Sequence, residues 1–403
     1  MELSRPWAAL ALLGLVAGCA SGGPHTARRA GPLVVVSAPL SAQPWVGQSI
    51  ERGARLAVEQ VNAARGTGPA VTLEVLDNAA SPARALANAR RAVGEGAAAL
   101  ITDGTGALAV AAVSDPASLP VFVVYDGGAS FIDPKAHPTL FRLAPANRAM
   151  STRLVDYLSA RAHAVALLSD DSAYGSDGVT TIRAALAHNG IRVASDLVVP
   201  AGGGDVSPQV QRARASGADT VLVWAQARNV GAIIRTIRAG GWAAPVYTGP
   251  PGEDPQVRQQ LADHPQWLDG TTFVSFRITS EQGPAPFAAF RAAYEARFGP
   301  DRVGVSADGR PVIQPPDWAT YPYDAVHLVA AALAKDGTRT GAPLIAALES
   351  TVIAGANGDE RGYGPDDREG VSQSDMYFGR FRHLRFAPVT DDLLSTNLPA
   401  VPQ

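Results

Sequence analysis

From Leu33 onward, short apolar runs alternate with segments of helical period, and this alternation confines the chain to a parallel α/β architecture. Leu33 to Ser37 reads as a buried strand, and Val71 to Leu76, Ala98 to Thr102 and Val121 to Val124 as the strands that follow it. Ile50, Ala54, Ala57, Val58 and Val61 recur at helical spacing, which predicts a helix over Gln48 to Ala64; Ala83 to Gly94 and Ala107 to Ser114 are the next helices. That series is complete by about Phe141. A second series with the same rhythm follows Pro145: helix Met150 to Ala160, strand Ala164 to Leu168, helix Gly178 to His188 and strand Arg192 to Val199. Ser207 and Pro208 offer an N-cap and a first-turn proline for the next helix. Strand Thr220 to Trp224, helix Val230 to Ala239 and strand Pro245 to Tyr247 continue the pattern.

The last third is less regular. Thr272 to Phe276 reads as a strand, Pro286 to Phe298 and Tyr323 to Ala334 as helices, and Tyr377 to Phe386 as a late strand. Asp301 to Asp317 reads as an irregular Gly- and Pro-rich insertion, and Gly355 to Gly370 as a polar connection. With 403 residues the chain suits two domains of ordinary size.

Composition then narrows the function classes. The apolar fraction of 46% and charged fraction of 18% are those of a folded globular protein, not a disordered one. The formal charge of -3 lacks the basic excess of a nucleic-acid binder. One cysteine excludes an internal disulfide framework and a cysteine-based zinc site. That cysteine, Cys19, follows an apolar stretch from Trp7 to Ala17 that is too short to span a bilayer and has the layout of an export signal. Val16-Ala17-Gly18-Cys19 resembles a bacterial lipobox, in which the cysteine is lipidated and becomes the first mature residue; an ordinary secretory signal is the alternative. Ala20 to Pro32, rich in Gly and Ser, reads as a flexible tether.

Among chemical motifs, Gly104-Thr105-Gly106-Ala107-Leu108-Ala109 fits G-x-G-x-x-A between a strand and a helix, with Asp126 about twenty residues on, where a dinucleotide fold places its ribose-binding acid. The motif follows the third strand rather than the first, however. A strand-to-helix turn at the carboxyl edge of an open sheet also serves a small ligand, through amide N–H groups at the helix N-terminus. Both readings remain open on the residues. The seven histidines form no metal-ligand spacing, and His327 on an apolar helix reads as structural. No Gly-x-Ser-x-Gly elbow or P-loop is present. Asp359-Glu360 with Asp366-Asp367 lacks the donor spacing of an EF-hand and reads as a solvated loop.

A family resemblance is carried by Pro39-Leu40-Ser41, Trp45-Val46-Gly47, Gly53-Ala54-Arg55-Leu56-Ala57 and Val61-Asn62-Ala63, then by Asp77 with Ser81-Pro82 and Ala85. Ala99-Leu100-Ile101, Leu119-Pro120-Val121, Phe141-Arg142-Leu143-Ala144-Pro145, Asp170-Asp171, Tyr174-Gly175, Gly190 and Tyr323-Asp324-Ala325-Val326 continue it. In this order and spacing, the chain resembles the solute-binding proteins of branched-chain amino acid-type ABC transporters over roughly Leu33 to Phe386.

The resemblance implies an α/β fold of two doubly wound Rossmann-like lobes joined by three crossover strands, the type I periplasmic binding protein fold. Residues 1–18 are then a signal peptide and 19–32 a lipid-anchored tether. Residues 33–145 and 275–352 form lobe 1, 146–274 and 353–390 lobe 2, and 391–403 a C-terminal tail. The resemblance further implies that Gly104 and Thr105 hold a ligand carboxylate, with Asp126, Gly127 and Ser130 facing them in the same lobe. It implies that Tyr174 closes from the second lobe, that Trp45 supplies an aromatic from the loop after the first strand, and that Gln226 is a further contact. Glu253 lies near a glutamate that holds a ligand amino group. The serine-rich run of amino-acid binders is here Asp103-Gly104-Thr105-Gly106, and Gln226 or Ala227 stands where tyrosine is frequent.

The expected function is therefore non-enzymatic: an extracytoplasmic, monomeric binding protein anchored to the membrane through Cys19, without cofactor, metal or nucleic acid. It would pass a small polar solute to the permease of an ABC transporter. A ligand-sensing accessory lipoprotein with the same fold and a dinucleotide-dependent oxidoreductase are the alternatives.

Overall fold

The computed structural model describes residues 31–66, 70–128, 131–276, 285–305, 309–335, 340–372, 375–389 and 391–392. β1 (Leu33–Ala38) is buried along its length, because its near-continuous apolar run meets packed side chains on both faces. α1 (Pro44–Ala64), β2 (Thr72–Asp77), α2 (Pro82–Gly94), β3 (Ala99–Thr102), α3 (Ala107–Ala117), β4 (Val121–Val123) and β5 (Leu140–Arg142) follow. Their strands form a parallel sheet of order β2-β1-β3-β4-β5.

The chain then crosses through residues 143–146 into a second unit. This contains α4 (Asn147–Leu158), β6 (Ala164–Asp170), α5 (Ala173–His188), β7 (Arg192–Val199), α6 (Ser207–Ala215), β8 (Thr220–Trp224), α7 (Ala227–Ala239), β9 (Val246–Thr248), α8 (Pro255–Gln260) and β10 (Thr272–Phe276). After it come α9 (Ala285–Phe298), β11 (Asp301–Val305), β12 (Pro311–Gln314), α10 (Thr320–Ala334), α11 (Ala342–Leu348), β13 (Val352–Ala354), β14 (Glu360–Gly362), β15 (Met376–Arg382) and β16 (Arg385–Pro388). The second sheet has the order β16-β15-β10-β9-β8-β6-β7, parallel from β7 to β10 and antiparallel in β15 and β16.

Each sheet is covered on both faces, as parallel strands require. α2 and α3 pack Ala85, Ala89, Val110 and Ala111 on one face of the first sheet; Ile50, Tyr294, Tyr321 and Leu328 from α1, α9 and α10 cover the other. The second sheet lies between Val230, Ile233 and Ile237 of α7 on one side and Leu154, Ile182 and Leu186 of α4 and α5 on the other. This is the α/β architecture expected from the alternation. No helix among the described residues is long and apolar enough to cross a membrane.

The structure differs from the sequence expectation at several elements. α1 starts at Pro44 and α5 at Ala173, so Trp45 and Tyr174 lie in first helical turns rather than in loops. Ser207 is inside α6, whose N-cap is Val206; Ser207 N–H donates instead to Asp205 Oδ1 at 2.9 Å. The insertion Asp301 to Asp317 contains the β11–β12 hairpin, whose Val303 and Val312 pack into the second core, whereas the resemblance implies lobe 1 for 275–352. The late strand is broken into β15 and β16 by His383 and Leu384, which both have positive φ.

Residues 353–371, assigned to lobe 2, pack Ala356, Tyr363 and Val371 into the first core. The reason is electrostatic. Arg361 is fully buried and is held by Asp324 of α10 at 3.3 Å, Asp375 at 3.2 Å and Asn357 at 2.8 Å, with Asp359 at 3.8 Å. A buried guanidinium needs such partners, and they pin this connection to α10. Asp359 is therefore interior rather than solvated, while Asp366 and Asp367 are exposed.

The helix pair α1 and α10 depends on a close approach at Gly53, where a Cβ would stand 2.2 Å from the Ala319 carbonyl oxygen. Backbone at that distance cannot yield cheaply. Gly53→Ala is expected to destabilise the protein by about 1–3 kcal/mol despite the higher helix propensity of alanine. Gly94→Ala, at the end of α2 with nothing within 4 Å, is expected to be neutral or to gain up to ~1 kcal/mol. Urea denaturation of the two variants checks the pair; equal midpoints would contradict the close-approach argument.

Candidate functional site

In open parallel sheets the loops at the carboxyl ends of the strands are where ligands bind, because turns there expose backbone and side-chain polar groups together. Here the carboxyl ends of both sheets border one cavity of ≈ 400 Å³. From the first sheet it is reached by the β3–α3 turn (Asp103, Thr105) and the loop after β4 (Tyr125, Asp126). From the second come α5 (Tyr174, Asp177), Gln226 before α7, and the segment after β9 (Pro250, Asp254).

The β3–α3 turn is built around close contact. Gly104 has φ +110°, and a Cβ there would meet the Asp126 Cβ at 2.3 Å. Glycine thus lets two loops of the first half touch, a role independent of any phosphate. Asp103 is buried; its Oδ1 accepts from Asn78 Nδ2 at 2.7 Å, and its Oδ2 from Thr105 Oγ1 at 2.5 Å. Burial pushes the Asp103 carboxyl above its ordinary range, against these hydrogen bonds. Asp126 is likewise raised by burial, with repulsion from Asp103 and Asp177 adding to it and the Gly128 N–H and Arg142 opposing it. Gly127 accepts Asn147 N–H at 2.8 Å through its carbonyl, joining this loop to the start of α4.

On the opposite wall, Asp170 at the end of β6 organises two elements. Its Oδ1 accepts from the Ser172 N–H and hydroxyl, which starts α5, and its Oδ2 accepts from Gln226 N–H at 2.7 Å. Tyr174 stacks on the fully buried Trp224, ring centres 5.1 Å apart. Its hydroxyl is buried without a hydrogen-bond partner among the described residues, and burial holds its pKa well above the phenol value. Gly249 is needed there: a Cβ would stand 2.3 Å from that hydroxyl. Asp254 caps α8 by accepting Gln256 N–H at 2.7 Å, and burial pushes its pKa up to about 6.

Six of the expected residues line this cavity: Trp45, Thr105, Asp126, Gly127, Tyr174 and Gln226. Gly104 lies beneath the lining. Glu253 does too: its Oε1 accepts from Trp318 Nε1 at 3.0 Å and its Oε2 from Ser275 Oγ at 2.9 Å, so its neighbour Asp254 faces the cavity instead. Burial and the adjacent Asp317 carboxyl hold Glu253 well above the usual carboxylate range. Ser130 and Cys19 lie outside the described residues.

Sequence reasoning missed Asp103, Tyr125, Asn147, Asp177, Asp254 and Trp318. Asp103 and Tyr125 adjoin residues that were singled out, and the strand-end rule covers them. Trp318 had no local signal; it arrives from the residues before α10 and packs on Tyr125 at 4.9 Å. No group of three or more His, Cys, Asp or Glu residues able to hold a metal ion occurs among the described residues.

The fold has many solved counterparts. A type 1 periplasmic binding protein from Bordetella pertussis superposes with a TM-score of 0.76 at 20% identity, covering 87% of this chain and 96% of that one. The branched-chain amino acid substrate-binding protein LivJ from Streptococcus pneumoniae, in complex with isoleucine, gives 0.75 at 20% identity, covering 88% and 97%. A curated amino acid binding protein from Pseudomonas aeruginosa is 28% identical over 282 residues, 65% of this chain and 70% of its own length. The family model described as periplasmic binding protein matches residues 29–383. With its two sheets, shared cavity and match over most of its length, the chain belongs to the periplasmic binding protein family.

Proposed function

We propose that the protein captures a small polar solute, an amino acid or a related molecule, outside the cytoplasmic membrane and presents it to the permease of an ABC transporter. The observation that carries this reading is the placement of the cavity: its walls come from both halves of the molecule, so a solute inside is touched by both. Closure of the halves about the connecting segments follows from that placement, since a solute binds best in the state where groups from both sides reach it. The isoleucine-bound LivJ and the amino acid binding protein among its relatives support the solute class. The protein acts without turnover, as a monomer, and the permease reads its closed shape.

Lipidation of Cys19 after removal of residues 1–18 holds the protein at the membrane, with residues 20–32 as tether. More than one acyl chain supplies stable attachment, at ~0.8 kcal/mol per buried CH₂.

In solution scattering, the solute that co-purifies with the protein is expected to reduce the radius of gyration of the stripped protein and, at 100 times its Kd, to stabilise it by ~2.7 kcal/mol. Tyr174→Ala is expected to weaken binding about tenfold or more while the ligand-free protein stays folded. An unchanged radius with bound solute would contradict closure; unchanged affinity in the variant would contradict the placement of the site. In cell fractionation Cys19→Ala is expected to move the protein from the membrane to the soluble fraction, and retention on the membrane would contradict the anchor.

A further inference from the structure

We propose that the cavity takes a small organic cation, an amine whose positive charge is not balanced by a carboxylate of its own. The inference rests on the solute-binding reading above and narrows it.

The charges around the cavity are of one sign. Asp103 and Asp126 approach from the first half and Asp177 and Asp254 from the second, and no lysine or arginine lies among the described lining residues. The arginine that acts on Asp126 is Arg142, whose guanidinium is 2% exposed and committed to Glu369 and to the Gly128 carbonyl. The hydroxyl that the resemblance assigns to a solute carboxylate is also committed, because Thr105 Oγ1 donates to Asp103 Oδ2. A carboxylate on the solute would therefore meet four carboxyl groups and no cationic side chain among the described lining residues. A cation meets the reverse. Like-charge repulsion and burial already hold Asp126 above its usual range, and a positive charge between the aspartates relieves that repulsion.

A second, independent feature points the same way. Trp45, Tyr125, Tyr174 and Trp318 supply aromatic surface to the same cavity. Aromatic faces attract ammonium groups through their quadrupoles, and the attraction is strongest where water is excluded. The carboxylates are spread over loops and a helix of the two halves rather than gathered, and the described residues offer no cluster for a metal ion. An organic molecule that spans the cavity suits this spread; a single metal ion does not.

The test is isothermal titration calorimetry on the stripped full-length protein with matched sets of probes: tyramine, tyrosine and 3-(4-hydroxyphenyl)propionate; isopentylamine, leucine and 4-methylpentanoate. Choline is a further probe. Each set holds the skeleton constant while the charge goes from positive through zwitterionic to negative. At least one amine is expected to bind ten or more times tighter than its amino acid, with no binding by its acid. Asp126→Asn and Asp177→Asn are expected each to weaken amine binding about tenfold, with the melting temperature of the ligand-free protein as the folding control. Mass spectrometry of the co-purifying solute supplies a second measurement, which a cation supports.

An amino acid or acid that binds as tightly as its amine, or a co-purifying solute that is neutral, zwitterionic or anionic, overturns the charge inference and leaves solute binding standing. Asparagine variants that bind amines like the parent protein overturn it equally. A protein that binds no probe and retains no solute loses both readings.

Discussion

A buried carboxylate, Glu253, helps to tie the two halves of the molecule together behind the cavity. Glu253 follows β9 of the second sheet, is 1% exposed, and accepts one hydrogen bond from Ser275 of the same sheet and one from Trp318, which packs with the first core. Buried acceptors of this kind are costly unless satisfied, so the pairing fixes where Trp318 can stand. Trp318 in turn backs Tyr125, and the two rings form part of the cavity wall. The shape of the site therefore depends on a contact that never faces a solute.

The remaining geometry follows from parallel sheets. A strand that ends at its carboxyl edge hands the chain to a tight turn, and both sheets direct those turns toward the same space. The turns are held by short-range bonds: Asp103 by Asn78 and Thr105 on one side, Asp170 gathering Ser172 and Gln226 on the other. Glycines stand where backbone and side chains must come within contact distance, at Gly104 against Asp126 and at Gly249 against Tyr174. The cavity wall is thus made of strand-end turns and first helical turns whose positions are set by rigid strands.

Much of this was legible in the sequence. The strands at Thr220 to Trp224 and Thr272 to Phe276 coincide with the observed β8 and β10, because apolar runs bounded by turn residues leave little choice, and Arg192 to Val199 coincides with β7, a largely exposed edge strand rich in valine. Thr105, Asp126 and Gly127 line the cavity because they sit at strand ends, where location alone is informative. The misses share a cause. Trp318 reaches the cavity only through a tertiary crossing, Asp254 faces it only because its neighbour Glu253 is turned inward toward Trp318, and β11 and β12 are short edge strands whose Gly- and Pro-rich surroundings look like loop. Glu253 was given a ligand contact because its burial, and its bond to Trp318, depend on residues far away in the chain. Arg361 illustrates the same limit: a polar, glycine-rich stretch is drawn inside by three aspartates distributed over residues 324–375.

A crystal structure of the protein with a bound solute decides whether one cavity shared by two halves is the binding site. A site of this construction places the solute between the Asp126 loop and Tyr174, in contact with side chains from both sheets at once. Density for the solute on an outer surface, or against one half alone with the other half untouched, would contradict it.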